Sequence, residues 1–188
     1  MSLQYGEAKV EVIDGKEIAM SPPPFSNHNR VKSNVYHVFR NYLKNNICEP
    51  FGDGQKVVLP SQKKGEYIMP DFFVVCDKSK VKRDGVYGSP DLVAEVISPK
   101  TAKMDRGRKK NLYQENGVKE YWIIEPDARS IEVYLLKNGA YDLHDVYSVL
   151  DAEYEDDKED VVMSFSVNLF PDMTVYLEDI FEYVNIWQ

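Results

Sequence analysis

Met69-Pro-Asp-Phe-Phe-Val-Val75 and Pro90-Asp-Leu-Val-Ala-Glu-Val-Ile97 are two apolar runs of strand length. They are too apolar on both faces for an edge strand, which predicts that they lie inside a sheet with both faces covered. Each run nevertheless carries a carboxylate, Asp71 in the first and Glu95 in the second. An ionised carboxylate away from water is costly unless a cation or hydrogen bonds compensate it. The two carboxylates therefore predict a shared cation, and a bound metal ion is the simplest one.

The segments before the first run predict a hairpin followed by a helix. Lys9 to Met20 alternates in polarity around Asp14-Gly15, a pair that favours a tight hairpin turn. From Val31 to Leu43, apolar residues recur at helical spacing, which predicts a helix that faces the core. Strands are expected from Gln55 to Leu59 and from Tyr67 to Val75, the second of which contains the first apolar run.

The segments after the second run predict a helix that connects two parallel strands. Pro99-Lys-Thr101 opens this helix, and Gly117 closes it in the manner of a C-terminal cap. A right-handed crossover would then place the next strand, Glu120 to Ile124, parallel to the strand Leu92 to Ile97.

The C-terminal third predicts a hairpin, an acidic segment and a short helix. Ser130 to Leu136 and Tyr141 to Tyr147 flank Asn138-Gly139, a strong hairpin signal. From Asp145 to Asp160 there are eight acidic residues and one lysine, which predicts a surface loop. Apolar spacing from Thr174 to Val184 predicts a terminal helix.

Length and composition limit the class of protein. The chain has 188 residues, and no linker rich in Pro, Gly or Ser divides it, so we expect one domain over residues 1–188. Cys48 and Cys76 do not make a disulfide framework and lack the spacing of a thiolate zinc site, so a reducing cytoplasm is expected. No secretory signal and no apolar run of the ~20 residues needed to cross a bilayer are seen, which predicts no membrane partner.

The charge distribution argues against a general nucleic-acid binder on average but not locally. The formal net charge is -8, whereas phosphate contacts need lysine and arginine. Nearly all of this excess lies in the acidic segment. A local basic patch consists of Lys100, Lys103, Arg106, Arg108, Lys109 and Lys110, with Asp105 as its one acidic member. A polyanion could be bound there despite the acidic average.

The candidate catalytic groups share one strand face and one helix face. Side chains alternate along a strand, so Glu95 shares its face with the apolar residues Val93 and Ile97. On the helix, Asp105, Lys109 and Tyr113 follow one another at steps of four and share a face that could look toward Glu95. Asp105 and Tyr113 are candidates for supporting roles. Mg²⁺ prefers oxygen ligands and keeps several waters, which matches two carboxylates and the backbone carbonyl of Val96.

These pieces together resemble the Uma-type restriction endonuclease family, within the PD-(D/E)XK nuclease superfamily. The resemblance spans most of the chain, and as a group its motifs are specific. The matching pieces are Ile13-Asp-Gly15, Met20-Ser-Pro22, His28, Pro70-Asp71, Pro90-Asp-Leu-Val-Ala-Glu-Val-Ile-Ser-Pro99, the series Asp105, Lys109 and Tyr113, Gly117-Val-Lys-Glu-Tyr-Trp122 and Ile131-Glu-Val-Tyr134.

The resemblance implies an α/β (α+β) protein with a restriction-endonuclease-like core, a mixed central sheet flanked by helices, and metal-dependent hydrolysis of DNA phosphodiester bonds. Asp71 and Glu95 carry over as metal ligands, with Mg²⁺ as the cofactor and Mn²⁺ as its substitute. The superfamily's lysine normally stands two residues after the glutamate, where this sequence has Ile97. Lys109 on the helix is the matching position in this branch, and its charge could orient the attacking water or stabilise the phosphorane.

Each candidate residue also has a purely structural interpretation. Asp71 could be a polar residue at a strand start, and Glu95 could form a salt bridge to an adjacent lysine. Lys109 could lie on a solvated helix face. His28 is a supporting candidate that could instead satisfy a helix cap or a core hydrogen bond. Glu17 is a candidate further metal ligand that could equally be an exposed strand residue.

The expected function is that of a cytoplasmic Mg²⁺-dependent endodeoxyribonuclease centred on Asp71, Glu95 and Lys109. Cutting two strands would suit a homodimer with two sites related by a two-fold axis, although no feature of the sequence shows one. The expected DNA contacts are Lys100, Lys103, Arg106, Arg108 and Lys110. One alternative is a catalytically inactive nucleic-acid-binding module that retains the fold, for which Ile97 argues. Another is a protein-interaction module that uses the acidic segment.

Overall fold

A hairpin and a long helix lead into the sheet of this structure, a computed structural model that describes residues 10–19, 26–149 and 163–184. β1 (Val10–Ile13) and β2 (Lys16–Ala19) pair antiparallel. Their turn, Asp14-Gly15, has positive φ at both residues, 53° and 71°, so the predicted hairpin is confirmed. α1 (Ser26–Tyr42) follows and contains most of the predicted first helix.

Among the described residues, six strands form a mixed central sheet. Across the sheet their order is β11 (Ala140–Ser148), β10 (Ser130–Lys137), β9 (Glu120–Glu125), β8 (Leu92–Val96), β5 (Phe72–Val75) and β3 (Glu49–Gly52). β8 and β9 pair parallel, and the other neighbours pair antiparallel. The parallel pair confirms the predicted crossover. β5 and β8 are interior strands, which explains why their sequences are apolar on both faces.

A helical segment with a π turn makes the crossover from β8 to β9. It consists of α2 (Ala102–Met104), a π-helical turn (Asp105–Lys109) and α3 (Lys110–Glu115). The predicted single helix is therefore interrupted in its middle, because residue spacing of this kind does not distinguish an α turn from a π turn. Gly117 has a φ of 75°, the left-handed conformation expected of a residue that ends a helix.

Helices cover both faces of the sheet and create two cores. On one face, α1 packs against a core that includes Phe72 of β5 and Ala94 of β8. On the other face, the crossover packs through Leu112 against a core that includes Phe73 and Val93. Alternate residues of β5 and β8 thus point to opposite helical layers. The ends of these two strands can receive charged side chains from either layer.

Smaller elements border the central sheet. They are β4 (Val57–Val58), β6 (Val81–Lys82) and β7 (Gly85–Tyr87), which form a small separate sheet, the antiparallel hairpin of β12 (Ser164–Val167) and β13 (Phe170–Tyr176), a 3-10 turn (Lys78–Lys80) and α4 (Leu177–Ile180). Within the part of the chain that the structure describes, no helix is long and apolar enough to cross a membrane.

Two predicted elements differ from the structure at the C-terminal end. The terminal helix expected from Thr174 is wrong in its first part, because β13 continues to Tyr176 and the helix covers only Leu177–Ile180. Val175 is buried while its neighbours are exposed, which is a strand pattern set by pairing with β12. Most of the predicted acidic loop falls in 150–162, which lies outside the described residues, whereas Asp145 belongs to β11.

Two predicted strands are shorter than expected. The run from Gln55 to Leu59 is reduced to β4, and the run from Tyr67 to Val75 becomes a strand only at Phe72. Proline has no N–H to donate to a sheet, so Pro70 delays the start of β5.

The two cysteines are joined in this structure. Cys48 and Cys76 form a disulfide, 28 residues apart in sequence. This pairing was not expected from the sequence. It is possible because Glu49 of β3 lies opposite Val75 of β5, which makes the two cysteines the next cross-strand neighbours. Strand pairing over such a separation cannot be seen from cysteine spacing.

Candidate active site

Asp71 and Glu95 lie side by side where two neighbouring strands meet the edge of the sheet. Phe72 stands opposite Ala94 in the antiparallel pair, so Asp71 and Glu95 occupy the next position of the register. Asp71 Oδ2 accepts a hydrogen bond from the backbone N–H of Val96 at 3.0 Å, and the Asp71 N–H donates to Glu95 Oε2 at 3.4 Å. Both side chains are buried. The structure thus brings the two strand carboxylates together.

Lys109 reaches the same place from the crossover. Its Nζ atom lies 3.1 Å from Glu95 Oε1, 3.1 Å from Glu11 Oε1 and 3.7 Å from Asp105 Oδ1. The Lys109 side chain is 5% exposed. Its ammonium is therefore enclosed by carboxylates, and the solvated-face interpretation of this lysine does not hold.

The π turn lies directly behind this cluster. It buries Asp105 and Lys109, and Tyr113 one turn later is buried as well. The Tyr113 hydroxyl donates to Glu95 Oε1 at 2.5 Å, and the Tyr121 hydroxyl donates to the Asp105 carbonyl at 3.0 Å. π turns are rare and are frequent at functional sites. Here the turn keeps three polar side chains at steps of four on the inner face.

Glu11 is a site residue that the sequence analysis missed. It lies on β1, is buried, and accepts the backbone N–H of Met69 at 2.8 Å in addition to its contact with Lys109. Strand alternation carried a signal, because Glu11 shares its face with Ile13, an apolar residue that enters the core. Glu11 on the apolar face of the hairpin resembles Asp71 and Glu95, because each is a carboxylate among apolar side chains.

Glu17, the hairpin acid singled out from the sequence, is not brought to the site. It is exposed on β2 and lies opposite Val12 of β1. Opposite residues of a pair share a face, and Val12 points away from the face of Glu11. The hairpin therefore turns Glu11 inward and Glu17 outward.

α1 supplies two basic side chains beside Asp71. His28 Nε2 lies 3.6 Å from Asp71 Oδ2, and Lys32 Nζ lies 3.5 Å from Asp71 Oδ1 and 3.0 Å from Asp53 Oδ2. Burial lowers the pKa of His28, against the attraction of Asp71. His28 is one of the supporting residues expected from the sequence, whereas Lys32 is not, since no sequence signal distinguishes it from a solvated lysine.

Burial and neighbouring charge together control ionisation in the cluster. Burial raises the pKa of Glu95 well above its usual value against the attraction of Lys109, and nearby carboxylates raise it further. Burial likewise raises the pKa of Asp105 to about 6. Burial acts to lower the pKa of Lys109, but the surrounding carboxylates outweigh it and hold that pKa well above its usual value. The acids hold the lysine charged, whereas burial opposes their own ionisation.

The donor set fits a hard divalent cation. Four buried carboxyl groups, those of Glu11, Asp71, Glu95 and Asp105, lie around two lysines. Mg²⁺ is often held by one or two carboxylates and keeps several waters, so the neighbouring carboxyl groups of Asp71 and Glu95 have the chemistry that such an ion requires. In the described ranges, no three His, Cys, Asp or Glu side chains come together as a ready-made metal site.

The predicted basic patch is largely paired within the protein. Arg106 forms ion pairs with two glutamates at 2.6 and 3.0 Å, and Arg108 forms hydrogen bonds with one aspartate at 2.6 and 2.8 Å. Lys110 lies 3.4 Å from the centroid of a tyrosine ring. Lys100 and Lys103 are exposed after the end of β8. The basic patch therefore presents less unpaired positive charge to solvent than its number of lysines and arginines suggests.

Comparison with other proteins gives three findings. A family model described as "Uma2: Putative restriction endonuclease" matches residues 2–169. The chain is 31% identical over 127 residues to an uncharacterized protein of Synechocystis sp., which covers 67% of this chain and 65% of that protein. It thus spans less than two thirds of this relative's length.

The third finding concerns the fold. The crystal structure of a putative nuclease belonging to DUF820 from Anabaena variabilis superimposes with a TM-score of 0.70. The match covers 97% of this chain and 95% of the other at 20% sequence identity. At that identity the likeness supports the fold, and the mixed sheet flanked by helices is confirmed.

Proposed function

We propose that this chain, which belongs to the Uma2 family of putative restriction endonucleases, is a metal-dependent endonuclease that hydrolyses DNA phosphodiester bonds. The family and the fold support a nuclease in general. The metal requirement, the DNA substrate and the roles of individual residues are parts of the proposal.

One contact carries the proposal: Lys109 Nζ lies 3.1 Å from Glu95 Oε1, with Asp71 beside Glu95. The residue two places after Glu95 is Ile97 rather than lysine. The crossover therefore supplies from another element the cation that the strand lacks. Two neighbouring carboxylates could hold a metal ion that activates water, and a lysine at hydrogen-bonding distance could stabilise the negative charge that develops on the phosphate.

In this proposal Asp71, Glu95 and the Val96 carbonyl hold Mg²⁺, with Mn²⁺ as a substitute. The bound ion would lower the pKa of a water and neutralise charge on the phosphate. Tyr113 and Lys109 both donate to Glu95 Oε1 and so fix the orientation of its carboxylate. The Lys109 charge also lowers the cost of negative charge that develops beside Glu95 during attack on phosphorus.

The proposed setting of the reaction follows from its substrate. We assign DNA contact to the basic patch, with Lys100 and Lys103 as its exposed members. A homodimer would present two such sites to the two strands. We place the activity in the cytoplasm, where a reducing environment would open the Cys48–Cys76 bridge.

A plasmid-nicking assay with Mg²⁺, Mn²⁺ or a chelator tests the proposal. We expect nicking only with the metals, and Glu95→Gln should lower the rate by more than about 100-fold, since outer-shell partners of a metal already contribute about 10- to 100-fold. Glu115→Gln is the matched control, because Glu115 is an exposed glutamate of the same crossover. Equal nicking by both variants, or nicking in the chelator, would contradict the assignment.

A second candidate function is a nucleic-acid-binding module without hydrolytic activity. One observation favours it: Glu95 Oε1 is already occupied by Lys109 and Tyr113. In that case the wild type and Glu95→Gln would bind a DNA duplex equally and neither would nick it.

A further inference from the structure

We propose that Lys32 of α1 is a second cation of this site and contacts a phosphate of the bound DNA beside Asp71. This inference rests on the proposed function and adds to it a substrate contact on the opposite face of the sheet.

The ammonium of Lys109 is enclosed inside the protein and donates a hydrogen bond to Glu95 Oε1. An ammonium group has three N–H donors, and three carboxylates, those of Glu11, Glu95 and Asp105, surround Nζ at 3.1, 3.1 and 3.7 Å. The Lys109 side chain is 5% exposed against 12% for Lys32, so Lys109 offers a phosphate less access than Lys32 does. Its role is therefore to hold Glu95 rather than to touch the substrate.

Lys32 is arranged differently. Its Nζ atom lies 3.0 Å from Asp53 and 3.5 Å from Asp71, and its side chain is 12% exposed. The longer of the two contacts is beyond a good N–H···O hydrogen bond. The ammonium thus keeps donor capacity at the boundary between the buried carboxylates and solvent.

Asp53, the carboxylate nearer to Lys32, is also the one that a phosphate could replace more easily. The Asp53 side chain is 26% exposed, more than three times the 8% of Asp71. Ion pairs with a solvated partner contribute little, because water and salt screen them. A DNA phosphate carries the same charge as Asp53, and Lys32 could exchange one for the other without leaving Asp71.

The two lysines reach the site from different layers. α1 packs on the sheet face that includes Phe72, whereas the crossover packs on the face that includes Phe73. Asp71 lies just before the first residue of β5. Lys32 therefore contacts Asp71 from the layer of α1, and Lys109 contacts Glu95 from the layer of the crossover. This arrangement separates a substrate cation from a cation that organises the carboxylates.

The test measures binding of a short fluorescent DNA duplex in Ca²⁺, as a function of salt, by anisotropy. Each phosphate contact adds about 0.9 to the slope of log Kd against log salt concentration. Lys32→Met should therefore lower the slope by about 0.9 and weaken binding roughly eightfold at 0.1 M salt. Lys32→Arg keeps the charge and should keep the slope.

Lys137→Met is the matched control, because Lys137 forms an exposed ion pair at the far end of β10 from the site. It should leave the slope unchanged. Thermal unfolding of each variant separates loss of a contact from loss of the fold. A Lys32→Met protein that is less stable but keeps the wild-type slope would overturn the inference, since Lys32 would then only anchor α1.

Failure of the proposed function gives a different result. If the wild type neither binds the duplex nor nicks plasmid, the function and this inference both fall. If the wild type binds and nicks while Lys32→Met matches it in slope and affinity, the inference alone falls.

Discussion

Replacing Lys109 by methionine is the sharpest test of the buried charge cluster. Methionine fills a similar volume but removes the ammonium that lies 3.1 Å from both Glu95 and Glu11 and 3.7 Å from Asp105. Three buried carboxyl groups then lose the cation between them.

The expected cost is large because the partners cannot turn to water. Removing one member of a buried ion pair typically destabilises a protein by about 3–5 kcal/mol. The cost should depend on pH, because carboxyl groups with raised pKa values can neutralise themselves by binding protons. With the pKa of Asp105 already at about 6 in the presence of Lys109, we expect the full loss at pH 8 and a smaller loss at pH 5.

Urea unfolding followed by tryptophan fluorescence measures this loss, because Trp122 is fully buried. Lys137→Met is the control, since its partner Asp142 is exposed and surface ion pairs contribute about 0–1 kcal/mol. The double variant Lys109→Met with Glu95→Gln should recover part of the loss. A loss below about 1 kcal/mol, equal to that of the control, would refute a buried lysine among carboxylates.

Two further predictions concern stability. The pKa of Asp105 is about 6 in the folded chain against an ordinary 3.8, so its ionisation removes stability as pH rises between these values. Asp105→Asn should therefore gain up to about 3 kcal/mol relative to wild type between pH 4 and pH 7, and urea midpoints that differ equally at both pH values would contradict this. Cys48→Ser with Cys76→Ser removes a cross-link between residues 28 apart and should lower the free energy of unfolding of the oxidised protein by about 3–4 kcal/mol. The Cys variant should still nick plasmid at a temperature where it is folded, and inactivity there would place the bridge in the site.

The fold could be predicted largely because its signals are local. Asp14-Gly15 forms the expected turn, and the parallel pairing of β8 with β9 follows from strand, helix and strand in sequence. The error at the C-terminal end occurs where strand pairing outweighs a spacing that also suits a helix. Val175 continues β13 because β12 lies beside it, although its spacing suits a helix.

The candidate site was predictable only in part. Asp71, Glu95 and Lys109 converge as expected. The two carboxylates stood out from their apolar neighbours, whereas Lys109 was identified by its spacing from Asp105 and Tyr113 and by the family resemblance. Glu11 was passed over in favour of Glu17, since the choice depends on which face of the hairpin turns toward the crossover.

The sequence by itself determined the central strands, the two carboxylates inside them and the helix that carries Lys109. The strands and their carboxylates follow from apolar runs and from the cost of placing charge in them. The helix follows from the residues that begin and end it, and all of these signals act over a few residues. Only the tertiary structure decided that Glu11 and Asp105 share Lys109, that Lys32 meets Asp71 from the other layer, and that the arginines of the basic patch are paired. The physical reason is that an ion pair between distant segments depends on where their elements pack, which no local pattern of residues encodes.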